Sequence, residues 1–104
     1  MFGNLKQIME AKAKIEKVQK ELKNIRITEE AMDGKLKVVV NGIAEVIEIK
    51  ISEEIFKSSD IKKIERTLTN LINTAQKKAQ NESTKKMQEL LKDLPPEIRR
   101  QLGI

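Results

Sequence analysis

The side chains that could do chemistry in this chain are lysines and carboxylates, because its 104 residues include no histidine and no cysteine. The missing histidine removes the commonest metal ligand and the commonest general base. The missing cysteine excludes disulfides, thiolate metal sites and a thiol nucleophile. The sequence also has no glycine-rich phosphate loop and no Ser/His pair. We therefore expect a binding protein with no enzymatic activity, no metal site and no cofactor.

Cations are concentrated at the two ends of the chain. Residues 1–24 carry six Lys against three Glu, residues 25–59 carry five cations against seven acids, and residues 60–104 carry ten cations against six acids, for a net charge of +5. Basic segments of this kind are the electrostatic footprint expected for nucleic acid. A solvated helix surface rich in Lys and Glu has the same composition, so charge alone leaves both interpretations open.

The aromatic content separates the possible partners. Only Phe2 and Phe56 are aromatic, too few for the stacking platforms that single strands and many RNAs require. Duplex DNA bound through its phosphates needs only cations on a suitable frame. The sequence has no apolar run of membrane-spanning length and no signal-peptide core at its N-terminus. We expect duplex DNA as the partner, in the cytoplasm, with no membrane and no small-molecule substrate.

Two amphipathic helices are predicted to carry these cations. The first runs from about Asn4 to Asn24 and has a heptad seam of apolar residues at Ile8, Ile15, Leu22, Ala11, Val18 and Ile25. A short turn capped by Ser52 precedes the second helix, for which Asp60 is the predicted N-cap. That helix becomes polar over residues 76–86, where we expect it to project into solvent, and it ends at Pro95-Pro96. We expect residues 95–104 to form a flexible tail.

Two dipeptides, Asp33-Gly34 and Asn41-Gly42, predict a three-stranded antiparallel meander between the helices. Both are preferred at the centre of the type I′ turn, which needs φ > 0 twice. If the first is a two-residue loop, Ala31, Glu29 and Ile27 lie opposite Leu36, Val38 and Val40. If the second is also such a loop, Ile43, Glu45 and Ile47 lie opposite Val40, Val38 and Leu36.

This register predicts a sheet with one apolar face. The opposite face pairs Glu30 with Lys37 and Lys35 with Glu48, as cross-strand charges should. Glu29 and Glu45 interrupt the apolar face, and we expect them at its rim or directed at a cation from another element. A single small subunit offers too little cover for the face, so we predict a homodimer of α+β subunits. The apolar face consists of Ile25, Ile27, Leu36, Val38, Val40, Ile43, Ile47, Ile49 and Ile51.

The order and spacing of several short motifs resemble those of the bacterial YbaB/EbfC nucleoid-associated proteins, over most of the chain. The motifs are Met1-Phe2-Gly3, Gly34-x-Leu36-x-Val38-x-Val40-Asn41-Gly42, Ile49-x-Ile51, Asn73-x-Ala75-x-Lys77-Lys78, Lys86-Met87 and Leu94-Pro95-Pro96. The resemblance implies an α-β-β-β-α subunit, a homodimer, and duplex DNA binding with a role in nucleoid organisation or gene expression. It makes residues 1–104 a single DNA-binding domain located in the nucleoid.

Lysines on the basic helix segments are the predicted phosphate contacts, because a projecting cationic helix can lie beside a DNA backbone. The alternative is a protein-interaction or chaperone subunit resembling β-type prefoldin, which also places strands between two heptad-bearing helices. The first helix, at about five turns, is short for a chaperone of that kind. The predicted DNA-binding residues are Lys6, Lys12, Lys14, Lys77, Lys78, Lys85 and Lys86.

Overall fold

A three-stranded antiparallel sheet lies between a first helix and a long later helix that packs across the sheet. The computed structural model describes residues 2–104, with side chains from residue 5 onward; Met1 and the side chains of residues 2–4, where the family motifs begin, lie outside the described residues. The elements are α1 (Phe2–Asn24), β1 (Ile27–Ala31), β2 (Leu36–Val40), β3 (Val46–Ile51), α2 (Glu53–Ser58), α3 (Ile61–Lys92) and α4 (Pro96–Leu102). The strand order β1-β2-β3 confirms the predicted meander and the α+β class.

The first hairpin has the predicted register, with a turn of four residues between Ala31 and Leu36. Met32, Asp33 and Gly34 have φ of 55°, 57° and 78°, and the Lys35 amide donates to the Met32 carbonyl at 3.2 Å, so the turn has one more left-handed residue than the predicted type I′ turn. Ala31 lies opposite Leu36, and every other pair of the first hairpin is as expected. The Asp33-Gly34 signal therefore located the turn and the register, but not the left-handed Met32.

The register predicted for the second hairpin is wrong by four residues at Leu36, which lies opposite Ile51 instead of Ile47. The Asn41 amide donates to the Glu45 carbonyl at 3.0 Å, and the Ala44 amide donates to the Asn41 carbonyl at 3.1 Å. Ala44 has φ of 65°, so the loop is a three-residue turn closed by a left-handed residue. A bulge between Val39 and Val40 then shifts the pairing of β3 with β2 by one further residue.

The buried Asn41 side chain explains why the shorter turn does not form. Its carbonyl oxygen accepts from the amides of Ile43 and Glu45, at 3.1 and 3.0 Å, and its amide donates to the Glu45 carboxylate at 2.7 Å. Glu30 lies opposite Lys37 as predicted, whereas the charge pair predicted for the second hairpin changes with the register. The Glu48 carboxylate lies 3.4 Å from the Lys37 ammonium. The Lys35 ammonium, which was expected to pair with Glu48, lies 3.0 Å from the Glu54 carboxylate instead.

Most of the predicted apolar face is covered within the subunit by α3, whose residues Ile64, Leu71 and Ala75 bury β2. Because α3 packs over β1 and β2, the face beside β3 stays open. We call this exposed apolar surface the β3 strip. One subunit therefore covers more of this face than expected, and the β3 strip is the part that it leaves exposed. The strip consists of Ile43, Val46, Ile47 and Ile49, which are 38–46% exposed.

Beyond the sheet, α1, the second half of α3 and α4 form an extended helical layer. Its small core joins Ala11 to Leu94 and Ile98. The flexible tail expected over residues 95–104 is therefore wrong, since Pro96 begins a helix in which Ile98 is 1% exposed. The polar stretch 76–86 of α3 lies beside α1 and is not surrounded by solvent. The subunit measures 68 × 17 × 16 Å.

Candidate nucleic-acid interface

Charge divides the subunit into two regions. We call residues 2–24 and 76–104 the arm and residues 25–75 the body. The arm carries thirteen Lys and Arg against seven Asp and Glu, a net of +6, whereas the body carries eight against nine, a net of −1. The radius of gyration is 19.5 Å, against roughly 13 Å for a compact chain of this length. The arm is thus a long cationic projection from a nearly neutral body.

The fold places all seven predicted DNA-binding lysines on the arm. Lys6, Lys12 and Lys14 lie on α1, and the other four lie on α3. Two of the seven have acidic partners within the subunit: Lys78 binds Glu29 of β1, and the Lys86 ammonium lies 3.9 Å from the Glu21 carboxylate. Five make no ion pair among residues 5–104, namely Lys6, Lys12, Lys14, Lys77 and Lys85.

Glu29 confirms the expectation that a carboxylate on the apolar face would meet a cation from another element. Its side chain is 18% exposed and binds Lys78 across the sheet–helix interface. Glu45 differs, because it accepts a hydrogen bond from the Asn41 amide instead of pairing with a cation. The Glu29–Lys78 pair therefore connects the nearly neutral body to the basic arm.

Two further cations lie on the arm because of α4. Arg99 and Arg100 belong to this helix, whereas the sequence interpretation assigned them to a flexible tail. Pro95-Pro96 predicts the end of a helix, but proline is also favoured at the first position of the next helix. That second property was the signal that could have located α4. The Arg100 side chain is exposed at the arm surface.

The base of the arm is fixed to the loop between β2 and β3. The Gly42 amide donates to the Leu22 carbonyl at the end of α1, at 2.7 Å, and the Gln76 side chain of α3 donates to the Ala44 carbonyl at 3.1 Å. A Cβ at Gly42 would lie 2.5 Å from the Leu22 oxygen. Glycine is needed here for close approach and not for a positive φ. Sequence reasoning missed this positioning role of Gly42 and Gln76.

The geometry elsewhere offers little for catalysis. A cleft of about 460 Å³ beside the arm base is lined by residues without titratable side chains. Among residues 2–104, no group of three acidic, His or Cys side chains is placed to hold a metal ion.

In the body, a hydrogen bond from Lys35 to Glu54, together with the charge of Glu54, raises the pKa of the Lys35 ammonium. No described helix is both long and apolar enough to cross a bilayer.

This chain is similar to proteins of one DNA-binding family. The model of the YbaB/EbfC DNA-binding family matches residues 1–94. A nucleoid-associated protein of Pelotomaculum thermopropionicum is 31% identical over 98 residues, covering 90% of this chain and 93% of that protein. A nucleoid-associated protein of Agrobacterium fabrum is 28% identical over 95 residues, covering 91% and 89%. These matches confirm the resemblance found in the motifs.

One solved structure supports the fold. The crystal structure of an uncharacterized protein, HP0035, from Helicobacter pylori superposes with a TM-score of 0.75, covering 86% of this chain and 92% of that one. The two sequences are 18% identical, so the likeness concerns the fold alone. It confirms the arrangement of helices around a three-stranded sheet.

Proposed function

We propose that this chain, which belongs to the YbaB/EbfC DNA-binding family, is a nucleoid-associated protein that binds duplex DNA as a homodimer. It organises the bacterial nucleoid or modulates gene expression in the cytoplasm. The single observation that carries the proposal is the segregation of charge, with +6 on the arm and −1 on the body. A polyanion is attracted to the arm without approaching the acidic sheet. Residues 1–104 act as one DNA-binding domain.

The homodimer is supported by the β3 strip. Four large apolar side chains are exposed side by side on an edge strand and the loop before it. An exposed apolar edge favours pairing with another chain, and a second copy of the same chain is the usual partner. Burying the strip between two subunits leaves both arms free for DNA.

Phosphate contacts supply the affinity in this proposal. The contacting residues are drawn from the seven arm lysines, of which Lys12 and Lys85 are exposed and without an acidic partner among the described residues. Lysine is a point charge and carries little base readout compared with bidentate Arg, Asn or Gln. We therefore expect weak sequence preference, and an affinity that falls by about 0.9 log unit per log unit of salt for each phosphate neutralised.

A mobility-shift assay on several unrelated duplexes, at several salt concentrations, tests the proposal with two charge-matched variants. The double variant Lys12→Glu/Lys85→Glu changes the arm. The control Lys57→Glu/Lys62→Glu changes exposed body lysines, and both variants alter the net charge by the same amount. We expect the arm variant to bind at least about thirtyfold more weakly, about 2 kcal/mol, and the control to change affinity less than about threefold.

Three results would contradict the proposal. Equal losses in the two variants would show that net charge matters and the arm does not. A nearly salt-independent affinity, or a preference above roughly a thousandfold for one duplex, would show that base contacts dominate. A hexamer in light scattering with no DNA binding would favour the chaperone alternative.

A further inference from the structure

We propose that α4 and the residues just beyond it form a pocket that binds a phosphate group through the guanidinium groups of Arg99 and Arg100. A cavity of about 230 Å³ lies at this point, and its walls are Pro96, Arg99, Arg100 and Ile104. The family model matches residues 1–94, so the pocket lies outside the matched segment. It is a site additional to the arm lysines.

The guanidinium of Arg99 is half-buried and lacks acceptors for its donors. Its Nε atom is enclosed by protein and has no hydrogen-bond partner, although buried donors are nearly always paired. Neither Arg99 nor Arg100 makes an ion pair within residues 5–104, and residues 1–4 contain no acid. An anion in the cavity would therefore supply the charge and the acceptors that no acidic side chain provides.

The other two arginines of the chain are in different surroundings. Arg26 donates to the carbonyls of Lys23 and Ile25, at 2.8 and 3.1 Å. Arg66 lines a hollow on the body together with Glu65, whose negative charge repels an anion. The arginines of α4 differ from both, because no acidic side chain of the described residues lines their cavity.

Packing holds the walls of the pocket in place. The buried Ile98 fixes α4 against Ala11 of α1. After the helix, Gly103 has φ of 76°, and the Ile104 amide donates to the Arg99 carbonyl at 3.0 Å. This helix ending turns the chain back toward the last turn of α4. A pocket that is already ordered loses less conformational entropy when it binds a ligand.

The chemistry of the pocket favours a phosphate group. A guanidinium presents its donors in a planar fork that fits two oxygens of a phosphate. Two neighbouring guanidiniums match the charge of about −1.5 to −2 that a phosphate monoester carries at pH 7 better than they match a single carboxylate. The apolar Pro96 and Ile104 exclude water from two walls, and charges attract more strongly where water is excluded.

Nuclear magnetic resonance of the arginine side chains tests the pocket directly, because the chain has only four arginines. Each gives one Nε–H signal, which the corresponding Arg→Lys variant identifies. Sodium phosphate should shift the signals of Arg99 and Arg100 saturably. The signals of Arg26 and Arg66 should respond no more than they do to sodium chloride of the same ionic strength.

Lysine variants measure the contribution of the guanidinium fork. Arg99→Lys keeps the charge and removes the fork, so we expect the dissociation constant for phosphate to rise at least about tenfold. Arg66→Lys is the matched control on the body and should leave the constant unchanged. Arg100→Lys is a second variant that does not disturb the enclosed Nε of Arg99. Calorimetry measures phosphate binding, and circular dichroism verifies the fold.

The phosphate can belong to the backbone of DNA on the arm or to a free phosphorylated metabolite, and two titrations distinguish these sources. A duplex that shifts the Arg99 signal and displaces phosphate identifies the DNA backbone. A shift with adenosine monophosphate, but not with the duplex, identifies a free metabolite. Either result supports the pocket.

Two results would overturn the pocket. One is an equal response of all four arginines to phosphate, which would show attraction by charge alone. The other is an unchanged phosphate affinity in both Arg99→Lys and Arg100→Lys. Neither result bears on the proposed function, which is tested separately at Lys12 and Lys85.

Discussion

The body and the arm differ in what they leave exposed to solvent. The body buries Leu36, Val38 and Val40 completely yet leaves the β3 strip uncovered. The arm has only a thin core around Ala11, Leu94 and Ile98, and its surface is dominated by cations. Exposed apolar area favours a protein partner, whereas an excess of cations on an extended shape favours a polyanion. The two regions are therefore suited to two different partners.

The difference also shows where rigidity is needed. A thin helical layer holds its own shape weakly, because apolar burial supplies most of the stability of a small domain. The arm is fixed to the body at the Leu22–Gly42 and Gln76–Ala44 hydrogen bonds and at the Glu29–Lys78 pair. These contacts determine the direction in which the arm points.

The largest effect is expected from charging the β3 strip. Ile47→Asp together with Ile49→Asp would bury four uncompensated carboxylates in a dimer, so we expect dimerisation to weaken at least about a thousandfold, about 4.1 kcal/mol. The fold should persist because both side chains are exposed in the subunit. Light scattering measures the mass and circular dichroism the fold.

A matched control for that experiment lies on the arm. Leu5 and Met9 are also apolar and are 56% and 64% exposed, so Leu5→Asp with Met9→Asp introduces the same charges there. We expect the dimer to remain intact. If this arm variant splits the dimer and the strip variant does not, the assignment of the two regions is reversed.

A smaller effect is expected where the arm meets the body. Gly42→Ala places a methyl group against the Leu22 carbonyl, and we expect a loss of about 2–3 kcal/mol in unfolding free energy, as for overpacked sites. Gly34→Ala, in the turn at the far end of β1 and β2, meets only a side chain at 3.6 Å but keeps φ of 78°; it should cost about 1 kcal/mol. Urea titration of both variants measures the difference. A larger loss at Gly34 would show that the arm base is not closely packed.

The smallest effect concerns the ion pair between the two regions. Glu29→Gln removes the acidic partner of Lys78 and makes that lysine available to phosphate, so we expect DNA affinity to rise about two- to fourfold, less than about 1 kcal/mol. Glu30→Gln removes the same charge from an exposed residue that makes no ion pair among the described residues and should change affinity less. Fluorescence anisotropy at low salt resolves such differences. Weaker binding by Glu29→Gln would mean that the pair orients Lys78 toward DNA.

The first three helices and the register of the first hairpin were predictable because their signals are local. Asp60 caps α3 by accepting from the Lys62 amide at 3.1 Å, and Ser52 caps α2 by accepting from the Glu54 amide at 3.4 Å. The turn at Asp33-Gly34 is marked by two residues that tolerate a positive φ, and Met32 before them is left-handed as well. In each case the residues that specify the element also belong to it.

The second hairpin and the end of the chain were not predictable in the same way. Gly42 belongs to a dipeptide with the same local preference as Asp33-Gly34, but its amide donates to the carbonyl of Leu22, twenty residues earlier in the chain. The α4 helix is stabilised by burial of Ile98 against Ala11, a contact that no local pattern contains. Both differences arise where a distant helix supplies the decisive contact.

The sequence by itself determined the order of the elements, the positive charge of both ends and the family, since these follow from residue types and short spacings. The tertiary structure decided which apolar residues stay exposed, which lysines already have acidic partners and how far the second hairpin is shifted. The physical reason is that burial and ion pairing depend on which segments meet in space. Here α3 packs mainly over β1 and β2, and Glu29 reaches Lys78 across 49 positions of the chain.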